Sequence, residues 1–177
     1  NASGARSFHY GPTRRYVERI RLVLADGDRL ELRRGIHKAD GRRFSLQTES
    51  GRTLAGESPS YTMPDTKNAA GFYAADNMDM VDLMVGSEGT LGIISELDVR
   101  LVVEPAVQWG IMAFFPSEKA AVKFVRGVRQ EKRRPMAIEF FDSHALDLLR
   151  RQKRTNPAFQ EISEMQEAWH TGVYVEY

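Results

Sequence analysis

The stretch Gly86-Ser87-Glu88-Gly89-Thr90-Leu91-Gly92 carries the most information about the fold. Its glycines recur at every third position, and glycine lets a backbone pass close to a ligand or turn its amides toward phosphate oxygens. The run lacks the Gly-Lys-Ser/Thr ending of a P-loop. It also follows a predicted helix and precedes a predicted strand, whereas a Rossmann fingerprint runs strand, glycines, helix. Both common nucleotide motifs are excluded, and a plain glycine turn stays open.

The residues on either side of this run predict the elements of the first half of the chain. Residues 17–33 alternate apolar and charged side chains around an Asp-Gly turn, which is a strong hairpin signal. Residues 34–66 are rich in turn formers and predict loops or short strands, one of them at 44–48. A short helix is predicted within 76–85 after an Asp cap, and a strand over 93–103.

The pattern changes after Pro105, which we take as a domain boundary. Apolar runs predict strands, and apolar positions at helical spacing predict helices. Ser117 is a suitable cap for the first helix. The predicted order is strand 106–115, helix 118–131, strand 136–141, helix 143–152, helix 158–169 and strand 172–177. Such alternation indicates an α+β arrangement.

Composition limits the class of protein. The 177 residues suffice for one domain or for pieces of two, and 25 basic against 24 acidic residues give no reason to expect nucleic acid as a partner. We interpret the basic runs 126–134 and 150–154 as solvated helix faces. The sequence has no cysteine and no long apolar run, and its four histidines lack metal-ligand spacing. We therefore expect no metal site and no transmembrane segment, and take the cytoplasm as the default location.

The ends of the sequence suggest a piece of a longer protein. The chain begins at Asn1 rather than at Met, with a segment typical of a loop inside a domain. The predicted strand at 172–177 is followed by nothing that would pair with it, and a strand needs partners for its backbone groups.

Several segments, read in order with the glycine run, resemble one family. These are Asn1–Gly4 followed by Tyr10-Gly11, then KNAAGF at 67–72, DMVDLMV at 79–85 and GSEGTLGIISE at 86–96. Together they resemble FAD-linked oxidases with the flavin fold of vanillyl-alcohol oxidase, also called PCMH-type. The resemblance covers residues 1–105, and its relatives include the glycolate oxidase FAD subunit and D-lactate dehydrogenases.

The resemblance implies a fold class and a domain organisation. The class is α+β. Residues 1–105 would be the C-terminal part, or second subdomain, of a PCMH-type FAD-binding domain. Residues 106–177 match more loosely and would begin a ferredoxin-like α+β substrate or cap domain.

The resemblance also implies which residues hold FAD. Glycines would allow close approach, and backbone amides would pair with polar atoms of the cofactor. For Glu88 we expect a structural hydrogen bond rather than catalysis, and for Lys67 a solvated role stays open. No catalytic residue carries over. The implied cofactor-binding residues are Asn1, Ala2, Ser3, Gly4, Lys67, Glu88, Gly89, Thr90, Leu91, Gly92, Ile93 and Ile94.

The implied activity is that of an FAD-dependent oxidoreductase acting on a small 2-hydroxy acid. The alternatives are a flavoenzyme like alkyldihydroxyacetonephosphate synthase, or a non-catalytic nucleotide-binding or interaction module. An iron–sulfur partner or domain, a homodimer and peripheral attachment to an inner membrane all stay open. Since the resemblance places other parts of the cofactor site upstream, we expect the chain alone to be inactive and to bind FAD weakly.

Overall fold

The computed structural model describes residues 1–66 and 68–177, which divide into two compact units. Unit 1 comprises Asn1–Ser3 and Pro12–Val103, and unit 2 comprises Gly4–Gly11 and Glu104–Tyr177. Both mix strands with helices, as the predicted α+β class requires. The predicted boundary at Pro105 lies close to this division, but Gly4–Gly11 groups with the later residues.

The sheet of unit 1 contains the predicted hairpin. Strands β1 (Val17–Val23) and β2 (Arg29–Arg33) are antiparallel, and β5 (Ile93–Val99) pairs with the other side of β1. In the turn, Gly27 adopts φ 85° and its N–H donates to the carbonyl of Leu24 at 3.0 Å. The Asp-Gly hairpin prediction is confirmed, whereas β5 ends four residues before the predicted strand end at 103.

A second hairpin occupies part of the segment predicted to be mainly loop. Strand β3 (Arg43–Gln47) corresponds to the predicted strand at 44–48, and β4 (Thr53–Glu57) pairs with it. The sequence analysis predicted loops or short strands here and did not place β4. A Cβ on Gly56 would lie 2.9 Å from Cζ of Phe44 on the facing strand, so a larger residue would require that ring to move.

Helix α2 (Met80–Met84) packs its apolar residues into the core of unit 1. Asp79 caps it, accepting a hydrogen bond from the N–H of Val81 at 3.2 Å, as predicted. The same carboxylate accepts from the N–H of Gly35. Ile20, Leu22 and Leu32 are completely buried against this helix, so the alternation of β1 and β2 correctly identifies the core face.

The sheet of unit 2 has the strand order β6-β8-β7, with both pairs antiparallel. Its strands are β6 (Gly110–Phe115), β7 (Ala137–Phe141) and β8 (Thr171–Glu176). Val173 and Val175 of the central strand are buried. All three strands confirm predicted ones, although β6 starts four residues later than predicted.

Helices α3 (Glu118–Gln130) and α4 (Ser143–Thr155) cover this sheet. Ser117 caps α3 as predicted, accepting from the N–H of Ala120 at 3.4 Å. Helix α3 packs against the buried valines of β8. Leu146 of α4 approaches β8 at Gly172, where a Cβ would lie 3.4 Å from Cδ2 of that leucine. A short N-terminal helix, α1 (Ser7–Tyr10), completes the helices of this unit.

The predicted helix at 158–169 is wrong. Only a 3-10 turn, Pro157–Phe159, forms there. Arg150 and Lys153 of α4 donate to carbonyls of the segment instead, at distances of 2.5–3.4 Å to Gln160, Ile162, Met165, Gln166 and Trp169. These side chains satisfy carbonyl groups that a helix would have satisfied internally.

Candidate functional site

The glycine run connects α2 to β5 in unit 1 through a succession of left-handed residues. Gly86, Gly89 and Gly92 have φ values of 94°, 79° and 147°, and Glu88 has φ 52°. The N–H and the hydroxyl of Thr90 donate to the carbonyl of Ser87 at 3.0 and 2.6 Å. The sequence therefore needs glycine here for its backbone conformation as well as for close approach.

Backbone amides of this run are available to a ligand. Glu88, Gly89 and Thr90 are exposed. In the described part of the chain, the N–H groups of Glu88, Gly89 and Leu91 form no hydrogen bond with the protein. Exposed amides around glycines can recognise phosphate or carbonyl oxygens without side-chain chemistry.

Three of the segments that carry the family resemblance meet at Gly86. A Cβ on this glycine would lie 3.5 Å from Cβ of Asn1, 3.4 Å from the carbonyl oxygen of Gly71 and 3.7 Å from that of Ala69. The N-terminal residues, the segment after Lys67 and the glycine run thus surround one point of unit 1. Residues 85 positions apart in sequence share this site only because of the fold.

The N-terminal residues are held by the segment before β1. Oδ1 of Asn1 accepts a hydrogen bond from the N–H of Arg14 at 3.0 Å. The carbonyl of Ala2 accepts from the N–H and the hydroxyl of Thr13, at 3.2 and 2.8 Å. Nδ2 of Asn1 is buried and has no hydrogen-bond partner within the described residues. This amide is a free donor beside the glycine run.

Arg14 is a site residue that the sequence analysis missed. Its side chain is buried, and it donates to the carbonyl of Val85 at 3.4 Å while its guanidinium lies 4.5 Å from the ring centre of Tyr73. Burial lowers the pKa of this arginine, since desolvation disfavours its charge. Nε has no partner in the described part of the chain. Its position shortly after Tyr10-Gly11 of the recognised motif was the available signal.

An ion pair connects the Arg14 segment to helix α2. Arg34 binds the carboxylate of Asp82 at 2.7 and 3.2 Å and also donates to the carbonyl of Arg14 at 2.9 Å. The hydrogen bond to Asp82 raises the pKa of Arg34. Because Asp82 belongs to α2, the pair connects the helix before the glycine run to the residue that holds Asn1.

The end of the run lies against β1. A Cβ on Gly92 would approach the carbonyl oxygen of Val23 to 2.9 Å. The next two residues, Ile93 and Ile94, keep 72% and 44% of their surface exposed although they belong to a strand. They are therefore free to contact an apolar part of a ligand.

Two predicted residues are not placed with the others. Gly4 belongs to unit 2, where its carbonyl accepts hydrogen bonds from the N–H and hydroxyl of Ser7 at 3.0 and 2.5 Å. Lys67 lies outside the described residues. The role of all twelve residues in cofactor binding stays a prediction, and the structure brings Asn1 close to the glycine run.

The described residues contain no group of three or more histidine, cysteine, aspartate or glutamate side chains arranged to hold a metal ion. Across the same residues, no helix combines the length and apolarity needed to cross a bilayer.

Comparison with known proteins shows which family the chain resembles. Residues 104–171 match the family described as FAD linked oxidases, C-terminal domain. The chain is 32% identical over 146 residues to the glycolate oxidase subunit GlcD of Bacillus subtilis, covering 82% of the chain and 24% of that protein. It is 28% identical over 148 residues to a D-lactate dehydrogenase of Archaeoglobus fulgidus, covering 84% of the chain and 25% of that protein. The chain is thus similar to FAD-linked oxidases, through a family match over residues 104–171 and through relatives that align with more than four fifths of its length.

A solved structure shares the fold. An alkyldihydroxyacetonephosphate synthase aligns with 99% of the chain and 26% of its own length, with a TM-score of 0.59 and 20% identity. At this identity the likeness shows the fold alone. The chain therefore spans about a quarter of the length of the proteins it matches.

Proposed function

We propose that this chain is the part of an FAD-dependent oxidoreductase that holds one side of the flavin nucleotide and leads into the substrate domain. The observation that carries the proposal is the meeting of Asn1, Ala69–Gly71 and Gly86 around one point of unit 1. Exposed amides on Glu88 and Gly89 and the free donors of Asn1 and Arg14 fit the oxygen atoms of such a cofactor.

The two parts of the chain have different proposed roles, and their boundary lies close to that of the two units, except that Gly4–Gly11 groups with the later residues. Residues 1–105 act as the second subdomain of a PCMH-type FAD-binding domain, with Ser3, Thr90, Leu91 and Gly92 beside the residues above. Residues 106–177 begin the substrate or cap domain, which we assign to the ferredoxin-like α+β class. Gly4 and Lys67 complete the proposed set of cofactor-binding residues.

The proposed reaction is the oxidation of a small 2-hydroxy acid. The flavin accepts the hydride of the substrate when it is bound, and a protein base takes the hydroxyl proton. This chain's residues bind and orient the cofactor: left-handed glycines allow close approach, and Ile93 and Ile94 offer apolar surface. The support for the substrate class is that two relatives are named for glycolate and D-lactate.

A second candidate function uses the same cofactor without net oxidation, as in an alkyldihydroxyacetonephosphate synthase. The support for it is that a relative 31% identical over 65 residues is named for this activity. A third candidate is a non-catalytic module that keeps the fold without flavin.

For the proposed oxidation, the electron acceptor is oxygen, a quinone or an iron–sulfur partner. A cytoplasmic location, with or without peripheral membrane attachment, is consistent with each of these acceptors.

The test begins with the whole protein that contains this chain, purified aerobically and examined for flavin absorbance. Anaerobic addition of D-lactate or glycolate should bleach the flavin bands. Flavin that stays oxidised with both acids would contradict the substrate class and favour the synthase reaction. A colourless protein that does not take up added FAD would contradict the flavoprotein assignment itself.

A pair of glycine variants tests the site. Gly86→Ala adds a methyl group at the meeting point, whereas Gly51→Ala adds one in open space at a similarly left-handed position, φ 87° against 94°. We expect Gly86→Ala to bind FAD at least about tenfold more weakly than the parent protein, because the added methyl group narrows the site. Gly51→Ala should bind FAD like the parent. Equal FAD affinity in the two variants would contradict the placement.

A further inference from the structure

A basic pocket in unit 2 lies outside the site described above. It is formed by Phe8 and His9 of α1, Arg129 in the last turn of α3, and Arg134 and Pro135 before β7, and it encloses about 460 Å³. Its lining holds two guanidinium groups and an imidazole but no carboxylate. No ion pair to Arg129 or Arg134 forms among the described residues. An unopposed pair of arginines favours an anion with several oxygen atoms.

The N-terminal wall of this pocket is held in place by other residues of unit 2. Arg6 forms an ion pair with Glu176 of β8 at 2.6 Å and donates to Oε1 of Gln108 at 2.8 Å. At the other end of α1, the hydroxyl of Tyr10 donates to Sδ of Met136 at 3.5 Å. These contacts fix the helix that presents Phe8 and His9, so the pocket does not depend on a free terminus.

The pocket combines its charge with an apolar surface. Phe8 keeps 40% of its surface exposed, and the guanidinium of Arg129 lies 5.9 Å from the centre of its ring. This contact keeps the cation beside the ring while its N–H groups stay available. The segment from Arg126 to Arg134 carries five basic residues and one acidic residue, so its positive charges repel one another and a bound anion would reduce that repulsion.

We propose that this pocket binds a soluble phosphate monoester that carries an apolar group. The phosphate dianion accepts hydrogen bonds from the guanidinium groups of Arg129 and Arg134 and from the imidazole of His9. The apolar group packs on the exposed part of Phe8. The assignment is independent of flavin binding, because every residue of the pocket belongs to unit 2 and none belongs to the candidate cofactor site.

Titration of the whole protein that contains this chain with phenyl phosphate, inorganic phosphate and phenol tests this pocket, with binding followed by calorimetry and by the NMR signals of His9. Phenyl phosphate should bind most tightly, inorganic phosphate more weakly, and phenol not detectably. Arg134→Gln should weaken phenyl phosphate at least about tenfold, because a charge-assisted hydrogen bond is lost. Added salt should also weaken the binding of phenyl phosphate, because it screens the attraction between the phosphate and the arginines.

Arg126→Gln is the matched control, since it removes one charge from the same basic segment without touching the pocket. Equal weakening by Arg126→Gln and Arg134→Gln would overturn the proposal in favour of a diffuse electrostatic effect. Thermal melting of both variants verifies that these exposed positions leave the fold unchanged. Sedimentation with phosphatidic acid vesicles separates a lipid headgroup from a soluble ligand, and binding to vesicles without binding to phenyl phosphate would overturn the soluble assignment.

Discussion

The carboxylate of Asp82 accepts two hydrogen bonds from the guanidinium of Arg34, at 2.7 and 3.2 Å. The same guanidinium reaches the carbonyls of Val17 and Arg14, at 2.6 and 2.9 Å. The two side chains are only 25% and 14% exposed. This ion pair therefore stabilises the start of β1 and helix α2 together, and with them the surroundings of the glycine run.

Replacing Arg34 with methionine should lower the free energy of unfolding by about 2–4 kcal/mol, because Asp82 and two backbone carbonyls lose their partner. Arg33→Met is the control: its 51% exposed side chain pairs with Glu31, and such surface pairs contribute at most about 1 kcal/mol. Urea unfolding of both variants measures the difference. Equal effects would mean that the Asp82 pair behaves as an ordinary surface contact.

The pH dependence of stability should depend on Asp28, which connects the turn after β1 to the β3–β4 hairpin. Its carboxylate accepts hydrogen bonds from the hydroxyl of Ser50 at 2.5 Å and from the N–H of Arg29 at 2.7 Å. These bonds, the first of them above all, lower the pKa of Asp28 from 3.8 to about 2. The ionised carboxylate of Asp28 therefore stabilises the folded protein fully above pH 3.8, and this stabilisation is lost as the pH falls toward 2.

Asp28→Asn should therefore lower the melting temperature at neutral pH and reduce the loss of stability on acidification. The exposed Asp65, changed to asparagine, serves as the control and should leave both unchanged. Melting curves recorded from neutral pH down to about pH 2 provide the comparison. A parent and an Asp28→Asn variant with parallel pH profiles would show that this carboxylate does not control the acid response.

Gly92 should not tolerate a side chain. It adopts φ 147°, and a Cβ would lie 2.9 Å from the carbonyl oxygen of Val23. Gly92→Ala should lower the free energy of unfolding by about 1–3 kcal/mol through backbone strain and crowding. Gly127→Ala, in open space within α3, should raise it by about 0.5–1 kcal/mol because alanine favours a helix. Chemical denaturation distinguishes the two signs, and a neutral Gly92→Ala would contradict the close approach.

Glu88 occupies a left-handed conformation, φ 52°, that a glycine adopts without strain. Glu88→Gly should therefore raise the melting temperature slightly, by an amount corresponding to about 1 kcal/mol. Asn77→Gly is a useful comparison, because Asn77 has a similar φ of 56° but its Oδ1 accepts a hydrogen bond from the N–H of Gly41 at 2.8 Å. In this variant the loss of the hydrogen bond opposes the gain from relieving backbone strain. If Glu88→Gly destabilises the protein, the carboxylate of Glu88 has a structural role beyond its backbone.

Much of the local structure could be predicted, because it depends on neighbouring residues. The β1–β2 hairpin follows from alternation around Asp26-Gly27, and α3 and α4 follow from apolar spacing and caps. The position of strand β4 could not be predicted, since it depends on the register with β3, in which Gly56 faces Phe44. The predicted helix at 158–169 failed for a related reason: cations from α4 bind carbonyl groups of that segment.

The same distinction holds for the candidate site. The glycine run and its flanking segments indicated FAD from sequence alone, and the family match agrees with that resemblance. The contribution of Arg14 could not be predicted, because an arginine in a loop is usually solvated. Its burial beside Tyr73 and Val85 depends on residues about 60 and 70 positions away.

The sequence by itself therefore determined the α+β class, most of the elements and the resemblance to FAD-linked oxidases, since these depend on local spacing and on motif order. Only the tertiary structure decided that Asn1 lies beside Gly86, that Arg14 is buried, and that Gly4–Gly11 groups with unit 2. Contacts between distant residues depend on how strands pair and helices pack. Local propensity contains no information about those distances, so it could not place the free donors of Asn1 and Arg14 near the glycine run.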